Sequence, residues 1–512
     1  MSPDREPRVS DERLDSICMC PCPEGSAAND EIDRLRTENR ELREALREVV
    51  NNAGEPLESP ASLIEPSHVT VQRAGFFGRI LREVRLERAL DEPSLSPSPI
   101  SFEVTMSKIR LFVRSENIEA EALAQAHQTA SMPFVQGLAV MPDVHWGRGS
   151  TVGTVVATRG AVMPACVGVD IGCGMIAVRT NLDVNKVREK AQQIHDGIER
   201  RIPTGKHTNG SLRPSATPRV EELLTRMAKH KYEPGGMKYN KWDKNWPLAL
   251  GTLGGGNHFI EICEGTDLTT PEQEEPWAWI ILHSGSRGIG NKIGTYYTNV
   301  AKNLSRKYMY ASWLPHEDLA YLHEHTEEFW RYMEDLHWAQ EFARLNREEM
   351  MDRVLTELIY TLALDLDPIH SAIGLEVERI NCHHNFTQRE HHDGENVIIT
   401  RKGAIEARQG MPALIPGSMG SHSYVVDGLG CEGAYHSAPH GAGRRLSRNK
   451  ARKQFTLADV QHSMEGIASR SRESIVDEYK DAYKDLDQVM EDAKLLIRPR
   501  WRLTPFLNVK GD

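Results

Sequence analysis

No stretch of the chain is apolar for the roughly 18 residues that a membrane-spanning helix needs, so no such helix is expected. The first residues are polar and charged. They offer no apolar signal core, and secretion is therefore not expected. Cysteine is sparse, eight in 512 residues, which excludes a disulfide scaffold and suits a reducing cytoplasm. Lysine is absent from the first 105 residues and first occurs at Lys108. Those 105 residues hold 21 Asp/Glu and 13 Arg, so they carry −8 of the chain's net −11. The remaining 407 residues, with 49 basic and 52 acidic groups, carry only −3. A near-neutral body with so many cations can still present a basic groove, so nucleic acid stays open as a partner.

The rest of the composition, 39% hydrophobic and 26% charged, fits a folded globular protein and excludes a collagen, a mucin-like stalk or a wholly disordered chain. Length alone suggests about three to four domains.

The N-terminal extension reads in pieces. Residues 1–30 have the composition of a disordered tail. Their Cys18, Cys20 and Cys22 could chelate a metal, but no second ligand cluster lies nearby, and free thiols on a flexible tail are the simpler reading. In residues 31–50, Ile32, Leu35, Asn39, Leu42, Leu46 and Val49 alternate three and four apart, the seam of a short coiled coil. Asn39 at a core position would favour a parallel homodimer; the alternative is an amphipathic helix packed on its own body. Residues 51–105 are Pro-rich linker with a short helix over Phe76–Leu90. A catalytic body is expected to begin near Met106 and run to residue 512.

Chemistry concentrates in that body. Over Met141–Thr180, β-branched runs such as Thr154–Thr158 and Ile176–Thr180 read as strands between glycine turns. Asp170 and Cys173 share one Gly-rich turn there, so a carboxylate and a thiolate could reach one metal, or Cys173 is simply a small core residue. The run GTLGGGNHFIE (251–261) allows close backbone approach to a ligand but lacks the Gly-Lys-Ser/Thr ending of a P-loop. An apolar strand, Trp279–Leu282, leads into His283 and Arg287. Further clusters are INCHHN (380–385), PGSMGSHS (416–423) and SAPHGAGRRLSR (437–448), the last placing His440 beside Arg444, Arg445 and Arg448. His258, His283, His384 and His440 all sit in Gly-, Ser- or Asn-rich turns after apolar segments. With Asp170 and Cys173 they offer N, O and S donors for two metal ions. Ligand type alone favours zinc, and two-metal sites suit phosphoryl or nucleotidyl transfer. The nearby arginines suit a phosphate-rich substrate.

These segments together resemble the RtcB-type RNA ligases. The matching motifs are MPDVHWGRG, VGVDIGCGM, GGGNHFIE, HSGSRGIG, CHHN, RKGA, PGSMGSHS, HGAGR and VKG, in family order from about residue 107 to 511. The extension before residue 106 has no counterpart in the family. The resemblance implies a single large α+β catalytic domain with mixed sheets and a deep metal cleft. It implies joining of RNA 3′-phosphate or 2′,3′-cyclic phosphate ends to 5′-hydroxyl ends, with GTP and two Mn²⁺. Asp170, Cys173, His258, His283 and His384 would be metal ligands, with the Cys173 thiolate bridging both ions. His440 would be the nucleophile that carries GMP. Asn257, His258, Phe259, Ile260, Glu261, His384, Asn385, Pro416, Gly417, Ser418, Met419, Ser423, His440, Gly441, Ala442, Gly443, Tyr483 and Lys510 would hold the nucleotide. Arg287, Lys402, Arg444 and Arg448 would bind phosphates of nucleotide or RNA. An archease-like activating protein is a further partner that the resemblance suggests. Two positions depart from the family pattern: Trp146 replaces a small or aliphatic residue, and His422 fills a slot often aromatic or small.

Two other readings remain at this point. One is a different two-metal enzyme, a phosphatase or nuclease; the other is a non-catalytic RNA-associated factor whose extension does the work. Helices are expected at about 185–201, 327–363 and 456–495.

Overall fold

The strand Trp277–Ser284 shows why this chain forms stacked layers. Trp279 and Ile281 point to one face and Ile280 and Leu282 to the other, and all four are buried. A strand apolar on both faces has to be covered on both, and here it is. The computed structural model describes residues 108–230, 245–270, 276–364, 372–470 and 473–511. The tail, coiled coil and linker expected over residues 1–105 lie outside the described residues.

The larger sheet has eight strands. They are β5 (Gly174–Asp183), β6 (Phe259–Asp267), β7 (Trp277–Ser284), β9 (Glu376–His383), β13 (Pro412–Ile415), β14 (Ser423–Gly428), β16 (Ala468–Ser469) and β17 (Ile497–Lys510). The order is β13-β14-β17-β6-β7-β5-β9, with β16 pairing alongside β17. The second sheet has five: β1 (Ile109–Leu111), β2 (Val135–His145), β3 (Val152–Thr158), β10 (Asn385–His392) and β11 (Glu395–Lys402). Its order is β1-β2-β3-β11-β10. Two short pairs complete the set, β4 (Ala161–Val162) with β8 (Leu322–His323), and β12 (Ala404–Glu406) with β15 (Ser437–Pro439).

The two main sheets share one core, in which Ala139, Val155 and Ile399 meet Ala177, Trp279 and Ile281. The outer face of the larger sheet, with Ile176, Ile262 and Ile280, packs on Met350, Val354 and Leu358 of the helix Glu327–Thr361 and on Ile194 and Ile198 of the helix Ala191–Arg201. The outer face of the smaller sheet, with Leu138, Val140 and Val156, packs on Ala122, Ala126 and Ala130 of the helix Ala120–Ala130. The result is mixed helix and sheet, as the sequence suggests.

Three helical expectations meet different outcomes. The one over 327–363 corresponds to Glu327–Thr361, capped by the Thr326 hydroxyl accepting from the Phe329 amide, with Glu327 and Glu328 in the first turn where they complement the helix dipole. The one over 185–201 is two helices, Val184–Glu189 and Ala191–Arg201, meeting at Lys190. The single helix expected over 456–495 is not found. The described residues there form helices at Leu457–Ser463 and Leu486–Asp492, with 3-10 turns at Glu473–Glu478 and Lys480–Ala482 between them. Gly466 takes a left-handed φ of +80°, which ends a helix rather than continuing it. The helix Arg287–Lys307 is not among the expected helices, and its sequence carries glycines at 288, 290 and 294. Its buried face repeats every fourth residue, at Ile289, Ile293, Tyr297 and Ala301. Gly294 is there for proximity, since a Cβ would lie 3.1 Å from the Gly168 carbonyl.

Candidate active site

Four adjacent strands bring their chemistry to one edge of the larger sheet. Gly174 opens β5 and pairs with Ser284 on β7 and His383 on β9, while Phe259 opens β6 opposite His283. Register alone therefore collects Cys173, His258, His283 and His384 at the same end of β5, β6, β7 and β9. Asp170 joins them from the turn before β5. That turn needs glycine: Gly172 has φ +74°, and a Cβ on Gly174 would lie 2.1 Å from the Cys382 carbonyl oxygen.

The donors are close. Cys173 Sγ lies 3.4 Å from His258 Nε2 and 3.2 Å from His283 Nε2. His283 Nε2 is 2.9 Å from His384 Nε2, and His258 Nε2 is 3.3 Å from Asp170 Oδ2. Two overlapping triads result, Cys173–His283–His384 and Asp170–Cys173–His258, with Cys173 in both.

Backbone carbonyls set the tautomers. His258 Nδ1 faces the Leu253 carbonyl at 2.9 Å and His283 Nδ1 faces the Asn257 carbonyl at 3.1 Å. A carbonyl only accepts, so each Nδ1 carries the proton and each Nε2 presents a lone pair to the cluster. Burial pushes His283 and His384 well below the ordinary imidazole value, which keeps them neutral. Burial, and then Asp170, pushes the Cys173 thiol well up. For Asp170 burial opposes ionisation, but its contacts with His258 and the Cys173 thiol outweigh it and hold the carboxyl below its usual value. Lone pairs facing lone pairs at these separations are what divalent cations require, and a bound cation would ionise the thiol. The donor set of these two overlapping triads fits a divalent metal centre.

His440 stands beside this cluster, its ring 4.7 Å from that of His384. It follows β15, which pairs with β12. Its backbone N–H donates to Asp143 Oδ2 at 3.0 Å, and its Nδ1 lies 2.5 Å from the same oxygen. Nδ1–H therefore donates to the carboxylate, and Nε2 keeps its lone pair. Asp143 is fully buried and the His440 side chain 17% exposed. Lys484 brackets Asp143 by donating to the Pro142 and Val144 carbonyls at 3.1 and 2.7 Å. A histidine oriented by a buried carboxylate, with its other ring nitrogen left unprotonated, is an arrangement that can serve group transfer.

A cavity of about 490 Å³ opens over both features, within the range of small-molecule sites. It is lined by Asp170, Cys173, His283 and His384 from the cluster, by Asn257, Phe259, Asn385, Pro416–Met419, Gly441–Gly443, Tyr483 and Lys510, and by His440, Lys402, Arg444 and Arg448. Of the expected site residues, His258, Ile260, Glu261, Ser423 and Arg287 do not line it. His258 meets the cluster through Cys173 and Asp170. Ile260 faces the helical side of the sheet. Glu261 is buried, accepts from Asn508 Nδ2 at 2.7 Å, and is raised by burial to about 7. Ser423 holds the 416–419 loop by accepting from the Gly417 amide at 3.2 Å. Arg287 Nε donates to Thr252 Oγ1 and Nη2 to the Gly205 carbonyl, each at 2.8 Å.

The cations of the site differ in availability. Lys402 Nζ donates to the Arg148 and Ser150 carbonyls at 2.5 and 2.8 Å, and burial lowers it to about 8. Arg444 donates to Tyr483 Oη at 2.9 Å and to the Asp477 carbonyl at 2.7 Å. Arg448 pairs with Asp477 and Glu478. Burial opposes ionisation of Glu478, yet Lys510 and Arg448 hold it at about 2.

Four residues that no motif reading points to support the site: Asp143 and Lys484 beside His440, and Asn346 and Arg347, which bond the backbone of the loops carrying Cys173, His258 and His283. Asp143 lies inside the MPDVHWGRG motif, and an acid at its centre is the one signal that could have pointed to it. His422, one of the two departures, is engaged with Asp487, with Nε2 2.7 Å from Oδ1, and does not line the cavity.

The family model described as tRNA-splicing ligase RtcB matches residues 125–511. The RNA-splicing ligase RtcB of Escherichia coli K12 is 41% identical over 409 residues, covering 79% of this chain and 97% of the relative. The tRNA-splicing ligase RtcB of Methanococcus maripaludis is 30% identical over 431 residues, covering 73% and 88%. The RNA-splicing ligase RtcB of Mycobacterium tuberculosis is 30% identical over 444 residues, covering 76% of this chain and the whole of the relative. With a family model spanning most of its length and a glycine-rich cluster of donors at its centre, the chain belongs to the RtcB family of RNA ligases.

Proposed function

We propose that the chain joins RNA 2′,3′-cyclic phosphate or 3′-phosphate ends to 5′-hydroxyl ends through a His440–GMP intermediate. The observation that carries this is the pairing of His440 with Asp143, which leaves a lone pair on Nε2 inside the cavity and beside the donor cluster. Nε2 attacks the α-phosphorus of GTP. A P–N bond forms, the α–β phosphoanhydride breaks, and pyrophosphate leaves. An oxygen of the RNA 3′-phosphate then attacks the same phosphorus, and the P–N electron pair returns to Nε2. Attack of the 5′-hydroxyl on the activated RNA phosphate forms the phosphodiester and releases GMP. A cyclic phosphate is first opened by water to the 3′-phosphate. Held by Asp170, Cys173, His258, His283 and His384, two Mn²⁺ ions would neutralise phosphate charge during these transfers.

The residues have distinct tasks. Asp143 holds the nucleophilic tautomer. Pro416–Met419, Phe259, Tyr483 and Lys510 form the nucleotide wall, and Lys402, Arg444 and Arg448 surround it with positive charge. The setting is the cytoplasm, in keeping with buried free thiols such as Cys173 and Cys263, and activation by an archease-like protein or dimerisation through residues 31–50 would modulate the same reaction.

Incubation with α-labelled GTP and Mn²⁺ tests the reading. An acid-labile protein–GMP adduct should form, vanish in His440→Ala, and precede ligation of cyclic-phosphate but not 3′-hydroxyl donors. A phosphatase or nuclease using the same cluster would form no adduct.

A further inference from the structure

The loop between β2 and β3 joins the nucleophile's partner, Asp143, to the outer lip of the cavity. Its main chain is tied down on both sides. Gln125 Nε2 donates to the Gly147 carbonyl at 2.7 Å and Lys402 Nζ donates to the Arg148 and Ser150 carbonyls, while the Thr151 hydroxyl anchors the end of the loop by donating to the Ala122 carbonyl at 3.2 Å. Two side chains of this fixed loop are nevertheless exposed, Trp146 and Arg148. Trp146 is 56% exposed. Its neighbours in the chain, His145 and Arg148, both line the cavity. Arg148 has no ion-pair partner among the described residues.

An exposed indole beside an unpaired guanidinium, both on a rigid loop, is the combination that binds single-stranded nucleic acid: the ring stacks a base and the cation meets the backbone. The Trp146 backbone amide donates to Glu119 Oε2 at 3.4 Å, which adds a further tie to the loop beneath the exposed indole. The guanine of GTP has its own rings in Phe259 and Tyr483, which line the cavity. We infer that Trp146 is a stacking platform for a base of the single-stranded RNA end awaiting ligation, and that Arg148 takes an adjacent phosphate. The inference rests on the RNA-ligase reading and adds a substrate-positioning residue that departs from the family's usual small or aliphatic choice.

The test uses the full chain and a fluorescein-labelled single-stranded RNA ending in a 3′-phosphate, with anisotropy reading affinity and steady-state ligation reading KM for RNA and for GTP separately. Trp146→Leu should weaken RNA binding about 5- to 150-fold, as loss of one stacked base does. Trp146→Phe should recover part of it, and KM for RNA should rise while KM for GTP stays within about twofold. Arg148→Gln should reduce the salt dependence of binding by about one phosphate contact. Equal RNA affinity in wild type and Trp146→Leu would overturn the inference, as would a parallel rise in KM for GTP, which would assign the indole to the nucleotide. If wild type neither forms the GMP adduct nor binds the RNA, the ligase reading itself fails. Adduct formation with an RNA affinity indifferent to Trp146 rejects the platform alone.

Discussion

Asp143 and His440 are 297 residues apart in sequence and 2.5 Å apart in space. A carboxylate can only accept, so it pins the proton on Nδ1. An amide in its place could turn its NH₂ toward Nδ1 and stabilise the opposite tautomer, with the proton on Nε2 and no lone pair to attack phosphorus. Asp143→Asn should therefore lower the rate of protein guanylylation by up to about 10⁴-fold, the scale of the equivalent tautomer error in a serine protease triad. Single-turnover transfer from labelled GTP measures it, and an unchanged melting temperature would separate it from unfolding. The pair also shows why the site was only partly legible. Cys173, His258, His283, His384 and His440 each stand in a recognisable glycine-rich motif. The role of Asp143 is a tertiary fact, visible only once β2 and β15 are placed together.

At the scale of elements, the helix Glu327–Thr361 does more than cover a sheet. Asn346 is fully buried, and its Oδ1 accepts from the Gly251 and Thr252 amides at 2.7 and 3.2 Å. Arg347, also fully buried, donates to the Gly172 and Ser284 carbonyls at 2.9 and 3.1 Å. Two successive side chains thus anchor the loops that deliver Cys173, His258 and His283. Asn346→Ala should cost about 1–3 kcal/mol for each amide left unsatisfied, read from the urea midpoint, and should weaken Mn²⁺ binding by calorimetry. The helix itself was legible to within two residues, since a long helix is a local feature of the chain. Its polar anchors were not, since Asn and Arg in a helix ordinarily face water. The helix Arg287–Lys307 is hidden for the converse reason: Gly294 sits in it to approach the Gly168–Ile171 turn, and approach is a tertiary demand.

The β10–β11 hairpin carries a different buried charge. Glu390 pairs with fully buried Arg401 and with Arg408. Burial alone would raise its pKa, but Arg401 and the hydrogen bonds from Arg401, His392 and Gln388 hold it at about 2. A carboxyl depressed on folding adds stability above its unfolded pKa and loses it as pH falls through the folded one. The contribution should thus be whole at neutral pH and decline from about pH 4.5 toward pH 2. Glu390→Gln should destabilise by about 3–5 kcal/mol at pH 7, because it leaves Arg401 buried without its counter-charge. The gap in urea midpoint between variant and wild type should narrow as the pH is lowered through that window.

At the scale of the molecule, charge placement matters more than net charge. Length suggested three to four domains, yet contacts group Pro99–Asp512 into one compact unit, and the aligned 409 residues account for 97% of the Escherichia coli relative. The extension is thus additional to what that relative contains. It removes eight units of negative charge from the chain when deleted, leaving a body of −3. Its carboxylates repel RNA at long range, and the repulsion is screened over about 10 Å at 0.1 M salt but reaches about 30 Å at 0.01 M. Residues 106–512 should therefore retain guanylylation and end-joining. They should also bind 3′-phosphate RNA more tightly than the full chain at low salt, with the difference closing as salt approaches physiological strength. Anisotropy across a salt series measures both forms. Loss of end-joining on deletion would instead make the acidic extension part of the working enzyme, and an advantage for the body that persists at high salt would mean that the extension masks the RNA site by contact rather than by charge.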